Sequence, residues 1–230
     1  MKKHETDSEN VIISREDTPF MIVEAYKILR TNLLFSLSTS ERRTVVVNSA
    51  QPGEGKSTIA LNLSLALSEA KHKTLLIDGD LRKPVMHKRL KIKNTVGLSN
   101  ILAGFAEESE AIVAYAENLD VIPAGEIPPN PSELLGSPAM ERFLQRMEKS
   151  YDFIILDTPP SMVVADAMAV APLTAGIVLV IREGVTIHPN LEKTLAHMEF
   201  AGIKVLGMVL NGAGVVRKKY GGYRNYHYSY

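Results

Sequence analysis

The residues best suited to chemistry lie in one short loop between an apolar run and a helix-like segment. The loop reads Ser49-Ala50-Gln51-Pro52-Gly53-Glu54-Gly55-Lys56-Ser57-Thr58. Small residues in such a turn let backbone N–H groups approach a phosphate, the lysine reaches the terminal phosphates, and the neighbouring hydroxyl suits Mg²⁺. Ala50 stands where this pattern usually has its first glycine. The loop therefore predicts a site for a nucleoside triphosphate and Mg²⁺, with contacts from Gly53, Glu54, Gly55, Lys56, Ser57 and Thr58.

Acidic residues follow two apolar runs further along the chain. One run ends in Asp78-Gly79-Asp80, and the run Phe153–Leu156 ends in Asp157. In a parallel sheet such strand ends lie at the edge where ligands bind. We expect Asp157 and Asp80, together with Ser57, to hold Mg²⁺, and one of the paired aspartates to accept a hydroxyl proton. The alternative is that these carboxylates only cap the helices and turns that follow them.

The elements that position these residues alternate between strand-like and helix-like patterns. Each apolar run is continuous, as expected where helices cover both faces of a parallel sheet. The alternation predicts an α/β fold, a doubly wound and mostly parallel sheet built around the phosphate loop. Strands are predicted at Thr44–Asn48, Thr74–Asp78, Leu119–Ile122, Phe153–Asp157, Ile177–Ile181 and Val205–Leu210. Helices are predicted at Ile22–Leu37, Ser57–Ala70, Leu98–Ala103, Ala139–Lys149, Val164–Ala171 and Asn190–Ala201.

Composition narrows the classes of protein that fit. The chain has 230 residues, 26 basic and 26 acidic side chains, and no cysteine. Zero net charge gives no general attraction to nucleic acid, and the lack of cysteine excludes disulfides and thiolate metal sites. The charged N-terminus lacks the apolar core of a signal peptide, so we expect a cytoplasmic protein. Met162–Ile181 is long enough to span a bilayer, but Asp166 and Pro172 favour a helix followed by a buried strand.

The two ends of the chain differ from the central part. We divide the sequence into a polar N-terminal segment (1–18), a phosphate-loop domain (19–214) and a tyrosine-rich tail (215–230). Within the domain, Gly125–Pro138 is proline-rich and is predicted to be an ordered loop. The tail carries no acidic residue, and its Gly221–Gly222 pair and polar spacers predict flexibility. It contains five of the eight tyrosines, Tyr220, Tyr223, Tyr226, Tyr228 and Tyr230.

Taken together, these motifs resemble those of the bacterial tyrosine kinases of capsule and exopolysaccharide systems. The phosphate loop, the block Asp78–Pro84 and the run Ile155–Pro160 resemble that family's Walker A, A′ and B motifs. Asn130–Leu135 and the terminal tyrosines are also similar to the family, so the resemblance extends from about Thr18 to Tyr230. It implies an ATP- and Mg²⁺-dependent kinase that phosphorylates the tail tyrosines of neighbouring copies. Catalysis would involve Lys56, Asp78, Asp80 and Asp157, with Asp78 the first choice of base and Asp80 the second.

The resemblance also implies partners. In the separate-chain arrangement of this family, a membrane adaptor activates the kinase and recruits it to the inner face of the cell membrane. Family members form rings through a Glu-x-x-Arg-x-x-Arg helix, for which this chain has Glu24, Lys27 and Arg30. Lysine keeps the charge of the first arginine but loses its bidentate fork. A solvated helix face is the alternative for this segment.

Other functions remain open from the sequence. A MinD/ParA-type positioning ATPase shares the fold, but its signature lysine would stand at the position of Gln51, so its sandwich dimer is disfavoured. A third possibility is a scaffold that binds ATP without transfer. Asn211, at the end of a predicted strand, is expected either to contact adenine or only to form the strand-end turn, and Arg182 is a weaker candidate for the base. No nucleic-acid role is expected, because its only support is the group Arg82, Lys83, Lys88 and Arg89.

Overall fold

A seven-stranded sheet forms the centre of the computed structural model, which describes residues 12–14 and 17–213. The strands are β1 (Thr44–Ser49), β2 (Thr74–Asp78), β3 (Val113–Ala116), β4 (Leu119–Ile122), β5 (Phe153–Asp157), β6 (Gly176–Arg182) and β7 (Val205–Asn211). Their order across the sheet is β3-β4-β2-β5-β1-β6-β7. Only the β3–β4 pairing is antiparallel among these strands. The predicted mostly parallel, doubly wound architecture is confirmed.

Helices pack on both faces of this sheet. In chain order they are α1 (Phe20–Ser36), α2 (Lys56–Glu69), α3 (Met86–Leu90), α4 (Leu98–Leu102), α5 (Glu108–Ala111), α6 (Pro131–Leu135), α7 (Pro138–Met147), α8 (Asp166–Val170) and α9 (His188–Phe200). Every residue of β1, β2 and β5 is buried, which explains their continuous apolar runs. Helix α2 is buried from Ser57 to Ser68 because it lies between the sheet and α1. The start of α2 is therefore rigidly placed.

Strand register brings the acidic motifs together. Strand β5 lies between β1 and β2, and Asp157 is the register partner of both Val47 and Asp78. Parallel strands end at the same edge of a sheet, so the carboxyl ends of β1, β2 and β5 converge there. The phosphate loop leaves β1 at this edge and enters α2. The fold thus places the loop and both acidic motifs at one point.

Several elements differ from the sequence predictions. Strand β3 was not predicted, because its residues alternate between half-buried and exposed and it lies at the sheet's edge. The proline-rich stretch is not simply a loop: α6 begins at Pro131, in the first helical turn, where proline's missing N–H costs nothing. The stretch weighed as a membrane span forms α8, a short 3₁₀ turn and β6. Within the described residues, no helix combines the length and apolarity needed to cross a bilayer.

Part of the predicted polar N-terminal segment contacts the domain. Ile13 is buried among α1 and α2 side chains, and its N–H donates to Asn62 Oδ1 at 2.9 Å. The Asn62 amide in turn donates to the Tyr26 hydroxyl at 3.2 Å. Ile12–Ser14 therefore pack against the domain that was predicted to begin at residue 19.

Candidate active site

Two glycines give the phosphate loop its shape. Gly53 has φ +79° and Gly55 has φ +95°, conformations that side chains with a Cβ rarely adopt. Gly55 immediately precedes α2, so the free backbone N–H groups at the start of that helix face the loop. A helix N-terminus of this kind favours anions, because its unpaired donors and its dipole both attract negative charge. The loop therefore has the geometry of a phosphate site.

The loop backbone is held from behind by the ends of β6 and β7. Arg182 donates to the Gly53 carbonyl at 2.7 Å, and Asn211 donates to the Glu54 carbonyl at 2.9 Å. A Cβ built on Gly55 would lie 2.1 Å from the Asn211 amide nitrogen, so glycine is required there. Both side chains were expected at the adenine. In the structure they fix the loop, and their contact with a base stays a prediction.

Glu54 also stabilises the loop from within. Its side chain is fully buried, and its carboxylate accepts hydrogen bonds from the Gln51 N–H, at 2.8 Å, and from the Thr186 hydroxyl. Glu54 was predicted to contact the nucleotide. Because its carboxylate is occupied, only its backbone N–H is available to a phosphate. The carboxylate instead closes the turn.

Lys56 lies between two carboxylates at the floor of the site. Its Nζ is 3.6 Å from Asp80 Oδ2 and 3.7 Å from Asp157 Oδ1, and it donates to the Ser57 hydroxyl at 3.2 Å. These four residues were predicted separately from three motifs, and the structure brings them together. A lysine shared by two carboxylates balances their charge and can also reach a phosphate on the loop. The arrangement suits a substrate that carries several negative charges.

Asp157 has the environment of a metal-binding carboxylate. It is fully buried, and neither of its oxygens accepts a hydrogen bond of normal geometry from the described part of the chain. Burial raises the pKa of its carboxyl, and nearby Lys56 opposes that rise. Residues 12–14 and 17–213 contain no cluster of three acidic or histidine ligands, but Mg²⁺ usually takes one or two carboxylates plus phosphates and water. Asp157 and the Ser57 hydroxyl therefore fit a magnesium ion bound with a nucleotide.

Both carboxylate oxygens of Asp78 accept hydrogen bonds from backbone N–H groups. One carboxylate oxygen accepts from the Asp80 N–H at 3.2 Å, and the other accepts from the N–H groups of Val85 and Met86 at 3.1 and 2.9 Å. Burial, with a further contribution from Asp157, raises the pKa of Asp78 to about 7. The side chain has no exposed surface. Asp78 therefore shapes the turn that carries Asp80.

A cavity of about 320 Å³ opens above these residues. The loop and α2 form its floor, the turn after β2 forms one wall, and the segment after β5 forms the other. Asp80 lines it with a slight exposure, while Asp78 does not line it. The volume lies within the range of ligand sites in proteins. The lining residues include Gly53, Lys56, Ser57, Asp80, Arg82, Lys83, Arg89, Pro159, Pro160, Val163 and Val164.

Sequence reasoning missed one buried polar cluster beside this cavity. Asp166 accepts from Arg82 Nε at 2.9 Å and from Arg82 Nη2 at 3.0 Å, and it also accepts from the Ser132 hydroxyl. In the sequence, Asp166 stands within an apolar stretch and argues only against a membrane span. Arg89, another of the basic group considered for nucleic acid, donates to the Thr58 hydroxyl at 3.0 Å. Two of those four cations thus make intramolecular bonds at the site.

The remaining predicted residues lie elsewhere. On α1, Lys27 pairs with Glu24 at 2.7 Å, and Arg30 donates to the Ala66 carbonyl of α2 at 2.7 Å. This helix face is therefore engaged within the chain, and its role in oligomers stays a prediction. The five predicted phosphoacceptor tyrosines of the tail lie outside the described residues.

Comparison with known proteins identifies relatives over most of the chain. A family model described as an AAA domain matches residues 42–187. Tyrosine-protein kinase YwqD of Bacillus subtilis (strain 168) is 38% identical over 213 residues, which cover 92% of this chain and 90% of that protein. The kinase domain of Escherichia coli tyrosine kinase ETK superposes with a TM-score of 0.84 at 32% identity, covering 99% of this chain and 88% of that one.

Two further solved structures are similar to this chain. The chimerical protein CapA2B2 has a TM-score of 0.81 at 36% identity, covering 88% of this chain and 89% of that chain. The cell division ATPase MinD of Pyrococcus furiosus has a TM-score of 0.64 at 28% identity, covering 75% and 73%. The likeness to MinD confirms the predicted fold group, while the kinases match over more of the chain and at higher identity. The chain belongs to the family of bacterial tyrosine-protein kinases.

Proposed function

We propose that this protein transfers the γ-phosphoryl group of ATP to tyrosine hydroxyls on neighbouring copies of itself. The observation that best supports the proposal is the position of Lys56 between Asp80 and Asp157, at the floor of a cavity that the phosphate loop borders. Phosphoryl transfer needs positioning and charge stabilisation more than covalent chemistry. A site with one lysine, two carboxylates and an open cavity meets those needs.

Each residue of the floor has a distinct role in this proposal. The N–H groups of Gly53–Thr58 cradle the phosphates, and Lys56 neutralises charge that develops on the oxygens being transferred. Ser57 and Asp157 would hold Mg²⁺, with Asp80 a further candidate ligand. When bound, the ion supplies Lewis-acid neutralisation of the phosphate charge. Pro159 and Pro160 give the cavity part of its apolar lining.

We favour Asp80 over Asp78 as the base, the reverse of the order suggested by the resemblance. The Asp78 oxygens already accept three backbone hydrogen bonds, and the side chain does not reach the cavity. Asp80 has one oxygen, Oδ2, that faces Lys56 and the cavity. The phenol oxygen attacks the γ-phosphorus as the bond to the β,γ-bridging oxygen breaks. The phenol proton passes to Asp80, and ADP leaves.

The acceptors we propose are Tyr220, Tyr223, Tyr226, Tyr228 and Tyr230. No acidic residue after Val215 repels the incoming phosphates. Each modification adds about −1.5 to −2 charges, so about two or three phosphates offset the positive charges of Arg217, Lys218, Lys219 and Arg224. Phosphorylation thus reverses the tail's charge and can release it from an acidic surface. Tyrosines on other proteins are further substrates.

We also propose that the kinase acts with partners at the cytoplasmic face of the membrane. A polysaccharide-export adaptor recruits and activates it, and copies assemble in a ring through the face of Glu24 and Lys27. The protein thereby regulates capsular or exopolysaccharide synthesis. Support comes from the kinase relatives and from the likeness to the chimerical CapA2B2 protein. Nucleic acid is not among the proposed partners, since Arg82 and Arg89 make bonds within the site.

The test is to incubate the purified chain with Mg·ATP and map phosphate by intact-mass and peptide spectrometry. A Lys56→Met protein is the matched control, and an adaptor peptide is added in a parallel reaction. We expect phosphate on the tail tyrosines that disappears in the control. ATP hydrolysis with every tyrosine unmodified, with adaptor present, would contradict the proposal and favour a positioning ATPase.

A further inference from the structure

Asp166 connects three separate segments of the chain beside the cavity. It begins α8 and has no exposed surface. Its carboxylate takes two hydrogen bonds from Arg82, in the turn after β2, and one from Ser132, in α6. Arg82 also donates to the Ser132 hydroxyl at 3.1 Å. We refer to Arg82, Ser132 and Asp166 as the Asp166 cluster.

The cluster joins the two walls of the cavity. Arg82 belongs to the wall formed by the turn after β2, two residues beyond Asp80. Val163 and Val164 belong to the opposite wall and lie just before Asp166 in the chain. A bidentate arginine–carboxylate pair fixes direction as well as distance. This pair therefore helps to set the distance between the walls, and it orients the Asp80 turn together with the backbone hydrogen bonds of Asp78.

We propose that Asp166 is a positioning residue for phosphoryl transfer, which acts by holding the Arg82 guanidinium and the Asp80 turn against the opposite wall of the cavity. The proposal rests on the proposed function, because it concerns the rate of the same transfer. Asp166 itself has no surface from which to touch a substrate. Its effect passes through Arg82, whose side chain is 39% exposed at the cavity.

In this role, Asp166 affects the rate of phosphoryl transfer but not the affinity for nucleotide. The contacts that hold the phosphate loop come from Glu54, Arg182 and Asn211, and none of them involves the cluster. Loss of the Arg82 bond thus leaves the loop intact but lets the Asp80 turn move relative to the acceptor. Misplacement of a reacting group by about 1 Å can cost on the order of a hundredfold in rate.

The test compares Asp166→Asn, Arg82→Lys and the double variant with the wild-type chain. Asn keeps the volume but loses the charge, and Lys keeps the charge but loses the planar fork. We expect kcat for tyrosine phosphorylation to fall about tenfold to a hundredfold in each single variant. The Kd of a fluorescent ADP analogue should change by less than about twofold. The double variant should be no slower than the slower single variant, because both changes break one unit.

A matched control is available on the surface. Arg146 donates from Nε to Glu108 Oε1 at 2.7 Å, and neither residue lines the cavity. Glu108→Gln removes a more exposed arginine–carboxylate pair away from the cavity and should leave kcat unchanged. If Asp166→Asn does not fold, Ser132→Ala removes one bond of the cluster and should still lower kcat with nucleotide affinity retained.

Three results would overturn the inference. They are a wild-type kcat in Asp166→Asn or Ser132→Ala, equal losses of kcat and nucleotide affinity, and multiplicative effects in the double variant. Failure of the proposed function is distinguishable, because the wild-type chain itself would then transfer no phosphate to tyrosine.

Discussion

The close approach of Asn211 to Gly55 yields the sharpest stability prediction. Gly55→Ala places a methyl group 2.1 Å from the Asn211 amide nitrogen at a residue with φ +95°. The backbone conformation costs an alanine about 1–2 kcal/mol. Displacing the amide costs about 0.5–1.5 kcal/mol for its lost bond to Glu54, and forcing neighbours apart adds about 1–3 kcal/mol. We expect the free energy of unfolding to fall by roughly 2.5–6.5 kcal/mol.

Two controls separate the terms of this sum. Gly104→Ala introduces a Cβ at φ +76° with no atom within 4 Å, so it measures backbone strain alone. On an Asn211→Ala background the clash is absent, so Gly55→Ala should there cost about 1–2 kcal/mol, like Gly104→Ala.

Urea unfolding followed by circular dichroism measures the stability of the wild type, the three single variants and the double variant. Titration with a fluorescent ADP analogue then tests the loop, and we expect weaker binding for Gly55→Ala. An equal cost for Gly55→Ala on the two backgrounds would refute the reasoning, because the clash would then contribute nothing.

Three further predictions concern buried groups. Asp157→Asn should raise the thermal midpoint of the ligand-free protein, because burial disfavours the charged carboxylate, and calorimetry measures this change. The same variant should abolish phosphoryl transfer in the phosphorylation assay, because the chemistry requires that charge. The pKa of Asp78 is about 7 when folded and near 4 when unfolded, so the folded state binds more protons between these values. The contribution of Asp78 to the stability of the ligand-free chain should fall as pH rises from about 4 to about 7, measured in urea titrations as the difference between the wild type and Asp78→Asn. A rise of that difference would contradict the burial argument. Phe143→Ala should cost about 3–5 kcal/mol, because the ring has no exposed surface in the core, and a cost under about 1 kcal/mol would contradict that packing.

The sequence predicts the fold well where local pattern and burial agree. Strands β2 and β5 begin and end at the predicted residues, because both are fully buried runs at the centre of a covered sheet. Helix α6 is not predicted, because the prolines in this stretch are typical of loops, although Pro131 stands at a position where helices tolerate it. Strand β3 was missed because an edge strand with one exposed face carries little apolar signal.

The candidate site was predictable to the level of motifs, but not of individual roles. Lys56, Ser57, Asp80 and Asp157 meet as expected because parallel strands end together. The division of labour between the paired aspartates depends on which backbone N–H groups surround each carboxylate, and chain spacing does not encode that. Asp166 could not be assigned a partner for the same reason: its arginine lies 84 residues away in sequence.

The attachment of β7 to the phosphate loop also determines where the chain can be shortened. Asn211 closes this strand and holds the Glu54 carbonyl, beside its register partner Arg182, which holds Gly53. A chain cut after residue 213 keeps both bonds, whereas one cut before Val205 loses the strand and leaves β6 as an open edge. Truncations meant to remove the tyrosines therefore report on tail chemistry only when they end beyond Asn211. Shorter chains report on the shape of the nucleotide loop instead.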